Sequence, residues 1–257
     1  MDGDAPPRVK LIACEVLARE AHAAAARSPR TVDLELVQQG LHDLGAEGMR
    51  TRLQELVDAA DARGAYSEIL LGYGLCNNGV AGLRARSVPL AVPRVHDCVS
   101  IMLGSAERYR REFDRHPGTY YYSAGWLERD RDLEHPPGST VSERLGIGKT
   151  FEQYAAEYGE DNARYIVETL GEGLKHYTRI AFIRMGLGPE EAFEALARRR
   201  AEELGLSFEL LSGELRLLRK LADGDYPPSG DEEILVVPPG GRIEADAAGG
   251  VLRVASS

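Results

Sequence analysis

Three cysteines and one histidine are the residues of this 257-residue chain best suited to chemistry. Cys14 ends the apolar run Val9–Ala13. Cys76 follows the run Ile69–Leu71 through the turn Gly72-Tyr73-Gly74-Leu75, and Cys98 follows Leu90–Val92 with His96 two residues before it. Runs this short, stopped by glycine or proline, read as buried strands, so each sulfur is expected just past a strand's carboxyl end. Thiolates select zinc, copper(I) or iron–sulfur over magnesium or calcium. The closely paired cysteines of most structural zinc sites are missing from the sequence. Ligands drawn from separate strand ends suit a site that faces a cleft and keeps one coordination position open, with Cys14, Cys76, His96 and Cys98 competing for the metal. Two centres fit. Zinc on His96, Cys98 and a second cysteine would deprotonate an incoming thiol for methyl transfer; a [4Fe–4S] cluster on the three cysteines would leave one iron open to substrate. Three unrelated core thiols, or one reactive thiol without metal, are the alternatives.

The neighbours of these residues extend the candidate site. Glu15, beside Cys14, is a ligand or base, or else a cap for the helix that follows. Asp97 either orients His96 or caps the helix opening after it. With His96 they form the candidate catalytic set. The turn containing Gly74, Asn77, Asn78 and Gly79 would present backbone N–H groups to an anion or cofactor, although it has neither the dinucleotide fingerprint nor the P-loop lysine. Asn77 and Asn78 also suit a turn that needs positive φ. Tyr73, Tyr122 and Trp126 are candidate walls for a substrate or corrinoid pocket, and His176 is a further pocket candidate.

What must position them is an alternation of strands and helices. Arg8–Ala13, Val32–Leu36, Ile69–Leu71, Leu90–Val92, Gly118–Ser123, Arg179–Met185, Ser207–Leu211 and Glu233–Val237 read as strands. Val16–Ala26, Glu47–Ala62, Asp97–Leu103, Thr150–Leu174, Pro189–Gly205 and Glu214–Leu221 read as helices, and Asp130–Leu145 as an exposed excursion. This order predicts an α/β fold: a largely parallel sheet with helices on both faces, doubly wound and Rossmann-like. A single domain over 1–245 and a flexible tail over 246–257 are expected. In such a sheet the working site lies beyond the carboxyl ends of the strands.

Composition narrows the function classes. Hydrophobic content of 43% and charged content of 28% are ordinary for a globular protein that folds around a core. A formal charge of −10 argues against a nucleic-acid-binding role. The arginines at Arg198–Arg200 lie among glutamates and alanines, as on a solvated helix face. No apolar run approaches the roughly 18 residues of a membrane span, and the acidic, proline-rich start lacks a signal-peptide core. The expected setting is therefore cytoplasmic, where an odd number of cysteines does not build a disulfide framework.

Several long stretches together resemble a bacterial and archaeal family, domain of unknown function 1638. They are LIACEVLARE (Leu11–Glu20), ILLGYGLCNNG (Ile69–Gly79), VPRVHDCVSIMLGS (Val92–Ser105), PGTYYYSAGW (Pro117–Trp126), YGEDNARYIVETL (Tyr158–Leu170), HYTRIAFIRMG (His176–Gly186), GELRLLRKLADGDY (Gly213–Tyr226) and LVVPPGGRI (Leu235–Ile243). The resemblance implies one domain. It also implies a part in corrinoid-dependent one-carbon metabolism, with a corrinoid protein or methyltransferase as partner and a small molecule as substrate. A corrinoid- or metal-binding accessory role without turnover is the implied alternative.

Overall fold

The computed structural model describes residues 6–129, 155–156, 159–160, 176–247 and 250–255. Strand β1 (Arg8–Cys14) is buried from Val9 onward on both faces, as an inner strand of a parallel sheet must be. A 3₁₀ turn (Glu15–Leu17) leads into α1 (Ala18–Ala25), and β2 (Thr31–Val37) returns parallel to β1. Helix α2 (Gly45–Ala62) buries Met49, Leu53, Val57 and Ala60, a spacing that keeps one helix face apolar. It delivers β3 (Glu68–Gly72) to the other side of β1, and β4 (Leu90–Pro93) adds beyond β3. Since strand–helix–strand connections are right-handed, stepping first one way from β1 and then the other places α1 and α2 on opposite faces.

After β4 come α3 (Cys98–Met102), α4 (Ala106–Arg115), β5 (Thr119–Ser123) and α5 (Ala124–Arg129). The rest comprises β6 (Arg179–Arg184), α6 (Glu191–Glu203), β7 (Ser207–Ser212), α7 (Arg216–Asp223), β8 (Ile234–Val237), β9 (Ile243–Asp246) and β10 (Val251–Val254). The main sheet runs β2-β1-β3-β4-β8, parallel except for β8, and the strands β5-β6-β7 form a second, wholly parallel sheet. The α/β class with mostly parallel strands is thus as expected, although the strands divide among three sheets, β9 and β10 forming the third, rather than extending one.

The alternation of RIAFIR in β6 explains how the second sheet is covered. Ala181 and Ile183 join the main core, while Ile180 and Phe182 join a second core closed by Ala197 and Ala201 of α6. Strand β10 of the antiparallel hairpin β9–β10, with Leu252 fully buried, lies within the 246–257 segment expected to be a flexible tail. Ile243 and Leu252 are buried in the main core, and Val251 and Val254 pack against it. Helix α4 goes beyond the sequence expectation. It buries no residue, so there is little apolar period to see, but the Ser105 hydroxyl caps it by accepting from the Arg108 N–H at 3.1 Å. The expected excursion Asp130–Leu145 and nearly all of the expected helix Thr150–Leu174 lie outside the described residues.

Candidate thiol centre at the switch point

The winding of the main sheet reverses between β1 and β3, so the carboxyl ends of these two strands lie side by side at the topological switch point. Cys14 closes β1 and Cys76 follows β3. Two glycines allow the close approach. A methyl group on Gly72 would sit 2.7 Å from the Ala13 Cβ, and one on Gly74 would sit 2.6 Å from the Asp97 amide nitrogen and 2.7 Å from the Val95 carbonyl oxygen. The turn after β3 is therefore pressed onto the loop before α3. The Leu75 N–H donates to Val95 O and the Cys76 N–H to His96 O, each at 2.8 Å. These contacts carry Cys76 toward Cys98 at the start of α3.

The turn itself is strained. Cys76, Asn77 and Asn78 have φ of 45°, 54° and 65°, three successive residues in the left-handed region. Asparagine tolerates this conformation, but a cysteine there costs on the order of 1 kcal/mol or more. Such strain persists where the surroundings over-determine it, here through the paired hydrogen bonds to the 95–96 backbone.

All three sulfurs are shielded from water: Cys14, Cys76 and Cys98 are 2%, 4% and 9% exposed. Burial raises every thiol. Cys14 is pushed up to about 12, with the Glu15 charge adding to burial and the Val16 amide opposing it. Burial also lifts Cys76, and the charge of Cys14 adds to it; Cys98 is raised by burial, then by Asp97, Cys14 and Cys76. The charge of Cys14 thus acts on both other thiols. No basic side chain is among the groups that shift Cys14 or Cys76. A thiol in this position stays protonated at neutral pH and is a poor nucleophile until a cation draws the proton off.

The other predicted residues divide. Asp97 is the N-cap of α3, accepting from the Ser100 N–H at 3.0 Å and the Ser100 hydroxyl at 3.1 Å, and Tyr109 faces it. The His96 ring is exposed, because the adjoining backbone is committed to the Cys76 turn, so the structure does not bury it with the sulfurs. Glu15 neither caps the following turn nor stands free: its Oε1 accepts from the Gln39 N–H at 2.7 Å, tying the ends of β1 and β2 together. Asn77 and Asn78 are exposed at the tip of the turn, while Gly79 is buried against Met49.

Tyr122 is a correction. The period of β5 turns Tyr120 and Tyr122 into the second core, and Tyr121 faces the main core, with its ring 6.1 Å from that of Tyr109. Trp126 lies half-buried where the two cores meet. Helix α5 sits hard on the 3₁₀ turn after Cys14, where a methyl on Gly125 would run into the Val16 carbonyl. His176 is exposed, ahead of the amino end of β6. Tyr109, which faces Asp97 and lies near Tyr121, was not legible as a site residue, since it does not sit past a strand end.

Sulfur is the donor type a thiophilic ion selects, but the Glu15 and Asp97 carboxylates act on the same thiols. The buried Tyr73 hydroxyl has no hydrogen-bond partner within the described residues. The sulfurs are not preassembled: among the described residues, no group of three His, Cys, Asp or Glu side chains is arranged to hold a metal ion.

Fold and site together define an α/β protein with a mostly parallel sheet and a buried group of thiols at its switch point. The chain belongs to the family described as Protein of unknown function (DUF1638), which matches residues 36–222. That span takes in Cys76 and Cys98 and begins after Cys14. No curated protein and no solved structure matches the chain. No helix among the described residues is long and apolar enough to cross a membrane.

Proposed function

We propose that Cys14, Cys76 and Cys98 are the protein donors of a soft-metal centre acting on a small molecule, with methyl transfer to or from a bound thiol as its chemistry. What supports it is the placement of three buried cysteines at or after the carboxyl ends of β1, β3 and β4, neighbouring strands of one sheet, with Cys76 in a strained turn. With the His96 ring exposed, the donors are three sulfurs, and one position stays open for substrate. Zinc in this set would supply a Lewis acid that lowers the pKa of a thiol placed in the open position. The absence of a fourth buried protein donor among the described residues favours a second reading, a [4Fe–4S] cluster with one open iron.

The chain's own residues have distinct parts. Gly72 and Gly74 let the strand ends close up, and the Leu75 and Cys76 amides lock the turn to the Cys98 loop. Asp97 fixes the start of α3, and Tyr109 and Tyr121 form an aromatic wall behind it. A corrinoid protein or methyltransferase would be the partner that delivers or takes the methyl group.

Metal and acid-labile sulfide analysis of anaerobically purified protein, wild type beside Cys76→Ala, tests this. Wild type is expected to carry bound metal and the variant to lose about nine-tenths of it with its circular dichroism unchanged, since one strong donor is gone. Brown protein containing iron and sulfide identifies the cluster, and colourless protein containing zinc identifies the mononuclear site. Wild type that stays empty after reconstitution with zinc, and with iron and sulfide, would show the reading to be wrong.

A further inference from the structure

We infer that the cleft between α1 and α5 is a binding site for a small carboxylate with an apolar body, held by the Arg129 guanidinium. Neither the thiols nor a metal take part. Residues of α1, the carboxyl end of β2, α5 and the loop after β6 line this cleft of about 750 Å³. It thus gathers the carboxyl ends of strands from both sheets, the edge where α/β proteins bind ligands. Arg129, the last residue of α5, is half-buried at its wall. Its Nε is shielded from water and has no hydrogen-bond partner, and no carboxylate pairs with it, among the described residues. Arginines buried elsewhere are matched: Arg30 meets Glu68 at 2.7 Å and Arg179 meets Glu112 at 3.5 Å. A guanidinium drawn out of water without a counter-charge is costly.

The charges of the cleft define the ligand. Arg19 donates through Nε to both oxygens of Glu128 at 3.1 Å and pairs with it again through Nη2, so the two cancel. Gly188, with φ of 87°, brings the loop against this pair; a methyl group there would run into Arg19 Nη1. His22 has its Nδ1 2.7 Å from the Ala18 carbonyl oxygen. Counting histidine as neutral, one positive charge, that of Arg129, is left among the lining residues, and one negative charge would balance it. The carboxylates behind the cleft do not: Glu190 accepts from the Met185 and Gly186 N–H groups at 2.8 and 2.6 Å, and neither it nor Glu20 lines the cleft. A planar carboxylate matches a planar guanidinium through two parallel N–H···O bonds. Leu36 and Leu187 offer the rest of the ligand an apolar wall, which a bare inorganic anion would not use.

The experiment titrates butyrate, its neutral counterpart butyramide and inorganic phosphate into wild type, Arg129→Gln and, as a control that loses an exposed arginine, Arg52→Gln. Calorimetry reads binding and a melting curve reads folding. Wild type is expected to bind one butyrate per chain at millimolar strength and no butyramide. Arg129→Gln removes the charge and keeps most of the bulk, so it should bind butyrate about tenfold more weakly, the worth of a charge-assisted hydrogen bond, and melt no lower without ligand. Arg52→Gln should bind like wild type, and so should Cys76→Ala, because no thiol takes part. Unchanged butyrate affinity in Arg129→Gln, or no butyrate binding by wild type at tens of millimolar, overturns the inference. Butyramide bound as well as butyrate, or phosphate bound more tightly, overturns the choice of a carboxylate as the ligand.

Discussion

The two ends of β3 treat buried polar groups in opposite ways. At the amino end Glu68 is 9% exposed, its Oε2 accepting from Arg30 Nη2 at 2.7 Å and from the Tyr226 hydroxyl at 3.0 Å. One guanidinium nitrogen of Arg30 is all that this group leaves without a partner among the described residues. At the carboxyl end the Tyr73 hydroxyl has nothing to bond, and the chain next to it is held in a left-handed turn. The same edge carries further unpartnered atoms, the Gln39 side-chain oxygen past β2 and the Trp126 indole N–H past β5. A protein built only for stability would satisfy both ends. Both ends leave some polar atoms unpartnered among the described residues, Arg30 Nη1 and Asp223 Oδ1 among them at the amino end, but only at the carboxyl end do they stand beside a strained turn and buried thiols.

The comparison breaks most visibly at the satisfied end. Arg30→Met strands the Glu68 carboxylate in the interior with one phenol as donor, and is expected to cost about 3 kcal/mol in urea unfolding. A loss under about 1 kcal/mol would mean the pair is solvated and the contrast false. On the thiol side, Glu20 of α1 is 3% exposed, keeps one oxygen unpartnered among the described residues, and has its pKa raised to about 7, by burial first and then by the Glu190 charge. Because that value exceeds the 4.5 of a free carboxyl, the folded chain binds more protons across the window from 4.5 to about 7, and stability falls as pH rises through it. Glu20→Gln should flatten this slope and add roughly 2 kcal/mol at pH 8 while changing little at pH 4. Equal pH profiles for the two proteins would remove Glu20 from the argument. The smallest effect sharpens the contrast furthest. Tyr226→Phe is expected to lose about 1.5 kcal/mol, the worth of a hydrogen bond to a carboxylate, where metal-free Tyr73→Phe gains stability. The same sign for both substitutions would erase the difference between the ends.

Much of the frame could be read from local pattern. Val9–Ala13, Ile69–Leu71 and Leu90–Val92 are continuous apolar runs because their strands are buried on both faces, and each falls within the observed strand. That placed Cys14, Cys76 and Cys98 past strand ends, and the turn chemistry of Asn77 and Asn78 agreed with their positive φ. Asp97 as a cap was also legible, since an aspartate before a short apolar helix is a common start signal. The phase of β5 was not: in the run Thr119–Ser123 three consecutive tyrosines give no hint of which one faces the main core. Nor was the exposure of His96, which depends on how the 95–97 backbone is used by the turn after β3.

The sequence by itself determined the strands, their apolar character and the position of each sulfur just past one of them, because burial and turn geometry act over a few neighbouring residues. Only the tertiary structure decided that β1 lies next to β3, that the later strands form a separate sheet, and that Tyr73 is buried while His96 is exposed. Those outcomes come from the direction of each crossover and from backbones pressed together at Gly72 and Gly74, contacts between segments far apart along the chain that no local pattern encodes.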